Sequence, residues 1–258
     1  MNKKDLIKKI IEKKEFSKLP EGDVFLAFEK YDNKKYIDEE KIKLTRDLLR
    51  KVYTAFLSTK LLNLRDKNID WFLKKHLSTK ERFSHYSKLY KKVFHGFTKN
   101  LAVIDLGCGI NGFSYKFFGG TGFNVKYIGV EAVGQLVNLQ KKSFEGVKGV
   151  SFFHESLFNL SKIKKILDSA EEKKVVFLFK VLDSLEVLKR DYSKELLLEI
   201  VPLVDRVVVS FATRSLVKQK KFFVNRNWIV KFIQKQFFFE DDFEMGGERY
   251  FVFSKKSL

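Results

Sequence analysis

The sequence has little of the chemistry that disulfides and metal sites require. Its 258 residues include one cysteine, Cys108, and four scattered histidines. A single cysteine cannot form an internal disulfide or a cysteine-based zinc cluster, and the histidines lack the spacing of metal ligands. We therefore expect a protein without a bound metal.

Long apolar runs are also missing. No segment approaches the roughly 20 apolar residues that a transmembrane helix needs. The first residues, MNKKDLIKKIIEKKEF, alternate charged and apolar side chains and do not form a signal-peptide core. Hydrophobic residues still make up 45% of the chain and aromatic residues 15%, which is a globular composition. These features predict a folded cytoplasmic protein with no membrane partner, and we expect it to be a monomer.

Positive charge is in large excess. The chain carries 51 Lys and Arg against 32 Asp and Glu, a net charge of +19. Residues 1–100 hold 26 basic and 14 acidic side chains, a net of +12. Such an excess favours a polyanionic partner. Solvated helix faces and a membrane surface are the alternatives, but the first helix lacks the clean amphipathic pattern of an interfacial anchor, so nucleic acid is favoured.

Apolar spacing predicts helices in the first part of the chain. Apolar residues recur every three or four positions among lysines, as in amphipathic helices. The predicted helices cover 5–19, 39–57 and 69–77. A further helix is predicted from STKERF, with Ser78 or Thr79 as its N-cap, to about Phe94. We interpret residues 1–97 as a basic helical domain.

From residue 98 onward the pattern changes to that of an α/β domain. Short runs rich in β-branched and aromatic residues alternate with segments of helical length. The predicted strands are LAVIDL, VKYIGVEA, VSFFHES, KVVFLFK and RVVVSFA. Two more, FFFEDDFEM and ERYFVFS, follow one another across a glycine pair. Residues 98–258 are therefore predicted to form a doubly wound, Rossmann-like parallel sheet with a terminal antiparallel hairpin at or near one edge.

A glycine-rich stretch, IDLGCGING, ends the first predicted strand. It reads D-x-G-x-G-x-x-G, with Asp105, Gly107, Gly109 and Gly112 at the fixed positions. Doubly wound folds bind ligands at this place, and either a dinucleotide or S-adenosylmethionine is consistent with it. A carboxylate in the turn suits the charged amino-acid end of S-adenosylmethionine better than it suits a pyrophosphate. Glu131, at the end of the next strand, is placed to accept hydrogen bonds from ribose hydroxyls in either case. A tight turn without a ligand is the third alternative, and the terminal hairpin favours a methyltransferase over a dehydrogenase.

The ordered motifs resemble those of one family. STKERF, IDLGCGING, Glu131, HES, FKVLDSLE and SFATRSL follow one another between Ser78 and Lys256. In this order the chain resembles the 16S ribosomal RNA methyltransferases of the aminoglycoside-resistance type, which methylate N7 of a guanine in the decoding region. The resemblance implies a class I methyltransferase fold and S-adenosylmethionine as cofactor. It also implies that the helical N-terminal domain docks on the small ribosomal subunit and its 16S rRNA.

The resemblance assigns roles to individual residues. Arg82 matches an arginine near the carboxylate end of the cofactor, and Glu131 matches the acidic residue that holds the ribose. Glu155 matches an acidic residue beside the adenine, and its neighbour Ser156 belongs to the same predicted binding site. The glycine motif contributes Asp105, Gly107 and Gly109 near the methionine part. Lys180 and Glu186 match residues needed for activity, and Arg214 matches an arginine placed toward the target base. Solvated charges and an ordinary ion pair between Lys180 and Glu186 are the alternatives.

A basic, aromatic segment follows Arg214. Cations interleaved with aromatic rings predict contacts with RNA phosphates and bases, although a lysine-rich loop before a helix has the same pattern. The predicted RNA-binding residues are Lys218, Lys220, Lys221, Arg226 and Trp228. Phe211 is a second stacking candidate, but its place in a strand favours core packing.

Three departures from the family pattern concern the target. Asn111, Gly112 and Phe113 stand where N-P-L is usual, Ala212 replaces a proline, and the following loop lacks the usual glycine. Methyl transfer is thus better supported than the identity of the nucleotide. A noncatalytic RNA-binding protein on the same fold and a methyltransferase for another RNA remain alternatives. The sequence does not distinguish antibiotic resistance from ribosome maturation.

Overall fold

The computed structural model describes residues 2–54, 68–213 and 226–256. Within these residues, a seven-stranded sheet forms the centre of the molecule. Its strands are β1 (Asn100–Leu106), β2 (Asn124–Glu131), β3 (Val150–His154), β4 (Lys173–Phe179), β5 (Arg206–Ala212), β6 (Phe238–Met245) and β7 (Glu248–Ser254). Each lies where the sequence predicts a strand, because β-branched and aromatic runs between polar turns suit a sheet buried on both faces.

The strand order is β3-β2-β1-β4-β5-β7-β6. Strands β1 to β5 pair in parallel, while β7 pairs antiparallel with both β5 and β6. The predicted terminal hairpin is therefore confirmed, and it forms one edge of the sheet. Gly246 and Gly247 join its strands with φ of +61° and +78°. Two successive positive φ angles are typical of the two-residue turn that fits the twist of a hairpin, and glycine adopts them without strain.

The helices of the α/β part cover both faces of the sheet. They are α7 (Gly134–Ser143), α8 (Leu160–Asp168), α9 (Leu182–Leu188), α10 (Tyr192–Ile200) and α11 (Asn227–Gln236). Side chains alternate between the faces along each strand. In β4, Val175 and Phe177 belong to one apolar cluster, whereas Val176 and Leu178 belong to the other. Helices α8 to α11 cover the second face, and the first is covered largely by helices that precede β1.

The N-terminal helices are shorter than predicted. They are α1 (Lys3–Ile11), α2 (Glu21–Glu29), α3 (Asp38–Leu49), α4 (Ile69–Lys75), α5 (Leu77–Arg82) and α6 (Tyr86–Val93). The predicted helix over 5–19 ends at Ile11, and α2 was not predicted. Pro20 precedes α2, and a proline disfavours helical backbone geometry at the residue before it, so a single helix does not run from α1 into α2. The apolar spacing continued through the turn because Phe16 and Leu19 insert into the core from it.

The predicted helix after STKERF is broken, and its predicted N-cap is wrong. Ser78 and Thr79 lie inside α5, and Thr79 donates its hydroxyl hydrogen to the carbonyl oxygen of Leu73 at 2.7 Å. A short 3-10 turn, Phe83–His85, separates α5 from α6. The second predicted helix, over 39–57, is α-helical to Leu49 and π-helical over Arg50–Thr54, and its last three residues lie outside the described residues.

Helix α6 packs directly against the sheet. Its Tyr90 ring lies parallel to that of Phe177 in β4, with 5.9 Å between the ring centroids. The predicted boundary after residue 97 thus marks the change from helices to strands along the chain, while the hydrophobic core continues across it. The division into two domains remains a prediction. No helix in the described part of the chain is long and apolar enough to span a bilayer.

Candidate active site

A cavity of about 680 Å³ opens at the carboxyl ends of β1, β2 and β4. This edge is where doubly wound sheets place their ligands, because the loops that follow neighbouring strands meet there. The cavity is lined both by charged side chains and by apolar ones, including Ala132, Leu136, Leu157 and Phe158. Such a lining suits an organic ligand that has a flat apolar part and several polar groups.

The glycine motif forms the turn under this cavity. Gly107 and Gly109 have φ of +73° and +53°, and the amides of Gly107 and Cys108 donate to the carbonyl oxygen of Val130. The two glycines serve different purposes. A Cβ atom on Gly107 would lie 2.7 Å from a methyl group of Val181, whereas the same position on Gly109 faces open space. Gly109 is thus the point at which backbone is exposed to the cavity.

Asp105 anchors a buried hydrogen-bond network beside that turn. Its Oδ2 accepts hydrogen bonds from Asn111 Nδ2 and the Tyr127 hydroxyl, each at 2.7 Å. Burial raises the pKa of the Asp105 carboxyl. The Oδ1 atom of Asn111 accepts from Arg82 at 2.8 Å and from the Tyr86 hydroxyl at 2.7 Å. Asn111 therefore links Asp105 to Arg82, a role that the sequence did not predict.

Gly112 and Phe113, which follow Asn111 and also differ from the family pattern, are part of the core. A Cβ atom on Gly112 would lie 2.4 Å from the amide oxygen of Gln140. The Phe113 ring stacks on Phe72 of α4, with 4.9 Å between centroids. The interpretation that this tripeptide surrounds the target base is therefore wrong for Gly112 and Phe113, which serve packing.

Arg82 is buried in the wall of the cavity. Its guanidinium donates to Glu248 Oε1 at 2.9 Å, to Asn111 at 2.8 Å and to the Ser78 hydroxyl at 2.6 Å. The Phe179 ring lies beneath it at 5.0 Å. A guanidinium carries five N–H groups, so two remain to donate to a ligand. Arg82 is held in place by protein groups and still keeps donors for a carboxylate.

Lys180 lies at the end of β4 in a strained conformation. Its φ is +60°, which non-glycine residues rarely adopt. The backbone amide donates to the carbonyl oxygen of Ser210 at 3.0 Å. The Nζ atom lies 2.5 Å from Glu81 and 3.1 Å from Glu248. Strain of this kind clusters at functional sites, where surrounding contacts impose it.

Glu186 is not brought to the cavity. Its carboxylate accepts from the backbone amides of Asp191 at 2.6 Å and Ser193 at 2.8 Å, so it caps the start of α10. It forms no ion pair with Lys180. The carboxylate that does line the cavity after β4 belongs to Asp183.

Glu131, predicted as a ribose ligand, ends β2 and lines the cavity. Its two carboxylate oxygens accept from the backbone amides of Gly109 and Val133, each at 2.8 Å. The side chain is buried, and burial raises the pKa of its carboxyl. Each oxygen has a second lone pair available for a hydroxyl group.

Glu155 and Ser156 follow β3 without lining the cavity themselves. Glu155 accepts from its neighbour's amide at 3.0 Å and from Asn159 at 3.3 Å. The Ser156 hydroxyl donates to Asp23, a buried residue of α2 that does line the cavity. The carboxylate facing the cavity at this point therefore belongs to Asp23 of the N-terminal helices.

The predicted RNA-binding residues are only partly described. Arg214, Lys218, Lys220 and Lys221 lie outside the described residues. Arg226 forms an ion pair with Asp183 at 2.7 Å and donates to the carbonyl oxygen of Ala212 at 3.0 Å.

The two aromatic stacking candidates both pack on the core. The Trp228 ring is half-buried against it, with Lys194 Nζ at 5.7 Å. Phe211 is buried, as the packing alternative predicts. No group of three or more potential metal ligands occurs within 2–54, 68–213 and 226–256.

Four residues of the site were missed by the sequence analysis: Asp23, Asn111, Asp183 and Glu248. Two of them could have been found from the sequence, because Asn111 lies within the glycine motif and Asp183 within FKVLDSLE. Glu248 follows the hairpin glycines, and only the antiparallel pairing of β7 brings it to Arg82. No local pattern marks Asp23.

Comparisons with known proteins identify relatives of this chain. A profile of the family described as ribosomal RNA methyltransferase (FmrO) matches residues 39–231. A 16S rRNA (guanine(1405)-N(7))-methyltransferase of Proteus mirabilis is 39% identical over 56 residues, which are 22% of this chain and 20% of that protein. The match thus spans about a fifth of that relative.

Two solved structures share the fold over nearly their whole length. The 16S rRNA methylase RmtB superposes with a TM-score of 0.76 at 20% identity, covering 99% of both chains. The 16S rRNA methyltransferase RmtF, solved in complex with S-adenosyl-L-homocysteine, superposes with a TM-score of 0.78 at 18% identity. That superposition covers 99% of this chain and 100% of RmtF.

Proposed function

Because the chain belongs to the ribosomal RNA methyltransferase (FmrO) family, we propose that it transfers a methyl group from S-adenosylmethionine to RNA of the small ribosomal subunit. The target proposed here is N7 of a guanine in 16S-type rRNA. One observation carries the proposal: Asp105, Glu131, Arg82 and the exposed backbone of Gly109 line a single cavity. These groups complement the amino acid and ribose of the cofactor.

The residues of the cavity fit S-adenosylmethionine group by group. Arg82 has two N–H groups left for the carboxylate. Both hydrogen bonds to Asp105 go to its Oδ2, so Oδ1 is available to the ammonium group. Glu131 has lone pairs for the ribose hydroxyls, and the apolar side chains suit the adenine ring. When bound, the cofactor supplies an electrophilic methyl group on a sulfonium centre.

The proposed reaction asks the protein to bind, align and exclude water. Guanine N7 carries a lone pair at neutral pH, so no general base is required, and the base must leave its stack to reach the cavity. Lys180, Asp183 and Arg226 line the cavity on the side of β4 and β5. We assign the target base to this side, because the opposite side carries the cofactor-binding groups. Arg214 and the lysines after it remain predicted RNA ligands.

The N-terminal helices provide the proposed docking surface for the subunit. Residues 1–97 contain 25 basic and 14 acidic side chains, a net charge of +11 out of +19 for the chain, and phosphate neutralisation by basic residues gives salt-dependent binding. Charge reversal of exposed lysines there should weaken binding to the subunit and reduce its dependence on salt.

The test is transfer of labelled methyl groups. Purified protein and radiolabelled S-adenosylmethionine are incubated with intact small subunits, naked 16S rRNA or tRNA. Label in the subunits, mapped to an N7-alkylated guanine by strand cleavage and primer extension, supports the proposal. Glu131→Gln should abolish transfer, and Glu145→Gln, at an exposed position, is the matched control.

Two outcomes would contradict the proposal. Cofactor binding without transfer to any RNA would indicate a noncatalytic RNA-binding protein. Transfer to tRNA alone would indicate another RNA target. Aminoglycoside susceptibility of bacteria that express the protein separates a resistance function from ribosome maturation.

A further inference from the structure

We propose that Asp23, on the N-terminal helix α2, recognises the 6-amino group of the cofactor's adenine. The inference rests on the proposed function, since it assigns a residue to S-adenosylmethionine. It gives the N-terminal helices a part in cofactor binding that the sequence did not predict. It also moves adenine recognition from Glu155 to a residue more than a hundred positions away.

The geometry of Asp23 is that of a preorganised acceptor. The residue is 1% exposed and lines the cavity. Its Oδ1 accepts from the Ser156 hydroxyl, and its Oδ2 accepts from the Tyr53 hydroxyl at 2.6 Å. A carboxylate has about four lone-pair positions, so roughly two remain for donors on a ligand.

Among the described residues, buried Asp23 has no ion-pair partner. Its hydrogen bonds there come from two neutral hydroxyls, and the charge of His154 acts on it without an ion pair. Burial raises the pKa of its carboxyl, and the nearby charge of Glu155 acts in the same direction. A buried carboxylate without an ion pair is costly unless donors satisfy it. Amino hydrogens of a ligand in the cavity are donors of the required kind.

The position of Asp23 agrees with the order of the cofactor's groups along the sheet. The glycine turn follows β1, and Glu131, the proposed ribose ligand, ends β2. Ser156, which holds Asp23, follows β3, the next strand outward. Leu157 and Phe158 come directly after it and line the cavity with apolar surface. A flat ring attached to a ribose at Glu131 therefore has its outer edge toward Asp23.

Glu155, predicted for this role, lies outside the cavity lining. Its Oε1 accepts from the Ser156 amide and the Asn159 side chain, and the residue does not line the cavity. Asp23 is the carboxylate that faces the cavity at this place.

The chain segment before α2 is hydrogen-bonded to the start of α7, which follows Glu131 in the chain. The amide of Gly134, at the start of α7, donates to the carbonyl oxygen of Lys18 at 3.0 Å. Gln135 donates to the carbonyl oxygen of Lys14 at 2.8 Å. A Cβ atom on Gly134 would lie 3.0 Å from the same Lys18 oxygen. The close fit holds Asp23 at a defined distance from Glu131.

The test compares two ligands that differ at one position of the purine. S-adenosylhomocysteine carries an amino group at position 6, and S-inosylhomocysteine carries a carbonyl oxygen there. Titration calorimetry of the wild-type protein should show about 10- to 100-fold tighter binding of S-adenosylhomocysteine, because a carboxylate accepts from the amine and repels the carbonyl. In Asp23→Asn this preference should shrink to about threefold or less, because an amide can turn its NH2 toward the carbonyl.

Asp32→Asn is the matched control. It makes the same change of side chain at an exposed position just after α2, outside the cavity lining, so it should keep the ligand preference of the wild type. If Asp23→Asn does not fold by circular dichroism, Asp23→Ser is measured in its place, since a hydroxyl also accepts and donates.

The outcomes separate the two proposals. A wild-type protein that binds both ligands equally, or an Asp23 variant that keeps the full preference, overturns the role of Asp23 alone. A folded wild-type protein that binds neither ligand overturns the proposed function, and the role of Asp23 with it.

Discussion

Replacing Glu248 by alanine should destabilise the protein strongly, because it leaves a buried arginine without its counter-ion. The side chains of Glu248 and Arg82 are 0% and 3% exposed, with 2.9 Å between Oε1 and Nε. Glu248 also accepts from the Ser210 hydroxyl at 2.7 Å and lies 3.1 Å from Lys180. Each of these three groups is a hydrogen-bond donor to the carboxylate.

The expected loss in the free energy of unfolding is about 3–5 kcal/mol, the usual effect of removing one partner of a buried ion pair. Most of it comes from the unpaired Arg82 charge, because Lys180 keeps Glu81 as a partner. Natural domains are stable by only about 5–15 kcal/mol, so the loss takes a large share of the total. Glu248→Gln, which keeps an acceptor, should lose less.

Urea unfolding followed by circular dichroism measures these values. Asp242→Ala is the matched control, because Asp242 pairs with Arg249 in the same hairpin at 2.6 Å, with side chains 29% and 47% exposed. An exposed pair of this kind contributes about 1 kcal/mol or less.

A double variant isolates the cost of the unpaired charge. Arg82→Met combined with Glu248→Leu removes both charges and should be less destabilising than Glu248→Ala alone. If Glu248→Ala and Asp242→Ala lose equal stability, the argument from burial is refuted.

Three further predictions concern the strained lysine, the ribose ligand and the domain boundary. Lys180→Gly should be more stable than Lys180→Ala by about 1 kcal/mol in urea unfolding, because only glycine adopts a φ of +60° without strain; equal stabilities would contradict this. Burial raises the pKa of Glu131, so its favourable contribution to stability is complete below its ordinary value of 4.5 and is lost as pH rises through the raised value. The free energy of unfolding of Glu131→Gln should therefore increase relative to wild type as pH rises from about 4.5, and parallel pH profiles would show that burial does not control this carboxyl. A protein lacking residues 1–97 should be unfolded or insoluble by gel filtration and circular dichroism, whereas a soluble fragment that binds S-adenosylhomocysteine would show that the domains are independent.

The strands were predictable because each is a run of β-branched and aromatic residues between polar turns. That pattern is local, and a sheet buried on both faces requires it. The positions of Gly107 and Glu131 at the cavity were predictable for a related reason, since the ends of adjacent parallel strands meet at one edge. The terminal hairpin was signalled by Gly246 and Gly247, where both positive φ angles need glycine.

The helices and the charged residues were harder to predict, because tertiary contacts decide them. Phe16 continued the helical spacing of α1 although it lies in a turn, since a turn can also place a side chain in the core. Glu186 lies in the expected sequence block, but the start of α10 supplies two backbone amides that bind its carboxylate. The sequence shows which side chains are charged, but it does not show which groups they contact in the folded protein.

The boundary after residue 97 shows how a change of pattern can differ from a change of domain. A parallel sheet has two apolar faces, and both must be covered. Helices α8 to α11 cover one face. On the other face α7 provides part of the cover, and the segment after β1, where a helix is usual, is the short 3-10 stretch Asn111–Phe117. The remaining cover comes from helices before β1, as the stacking of Tyr90 on Phe177 shows. The segment with the greatest excess of positive charge is thus also a layer of the fold and, through Asp23, a wall of the proposed cofactor site. The proposed binding of RNA to its outer surface and the proposed binding of the cofactor to its inner surface would therefore act on the same helices.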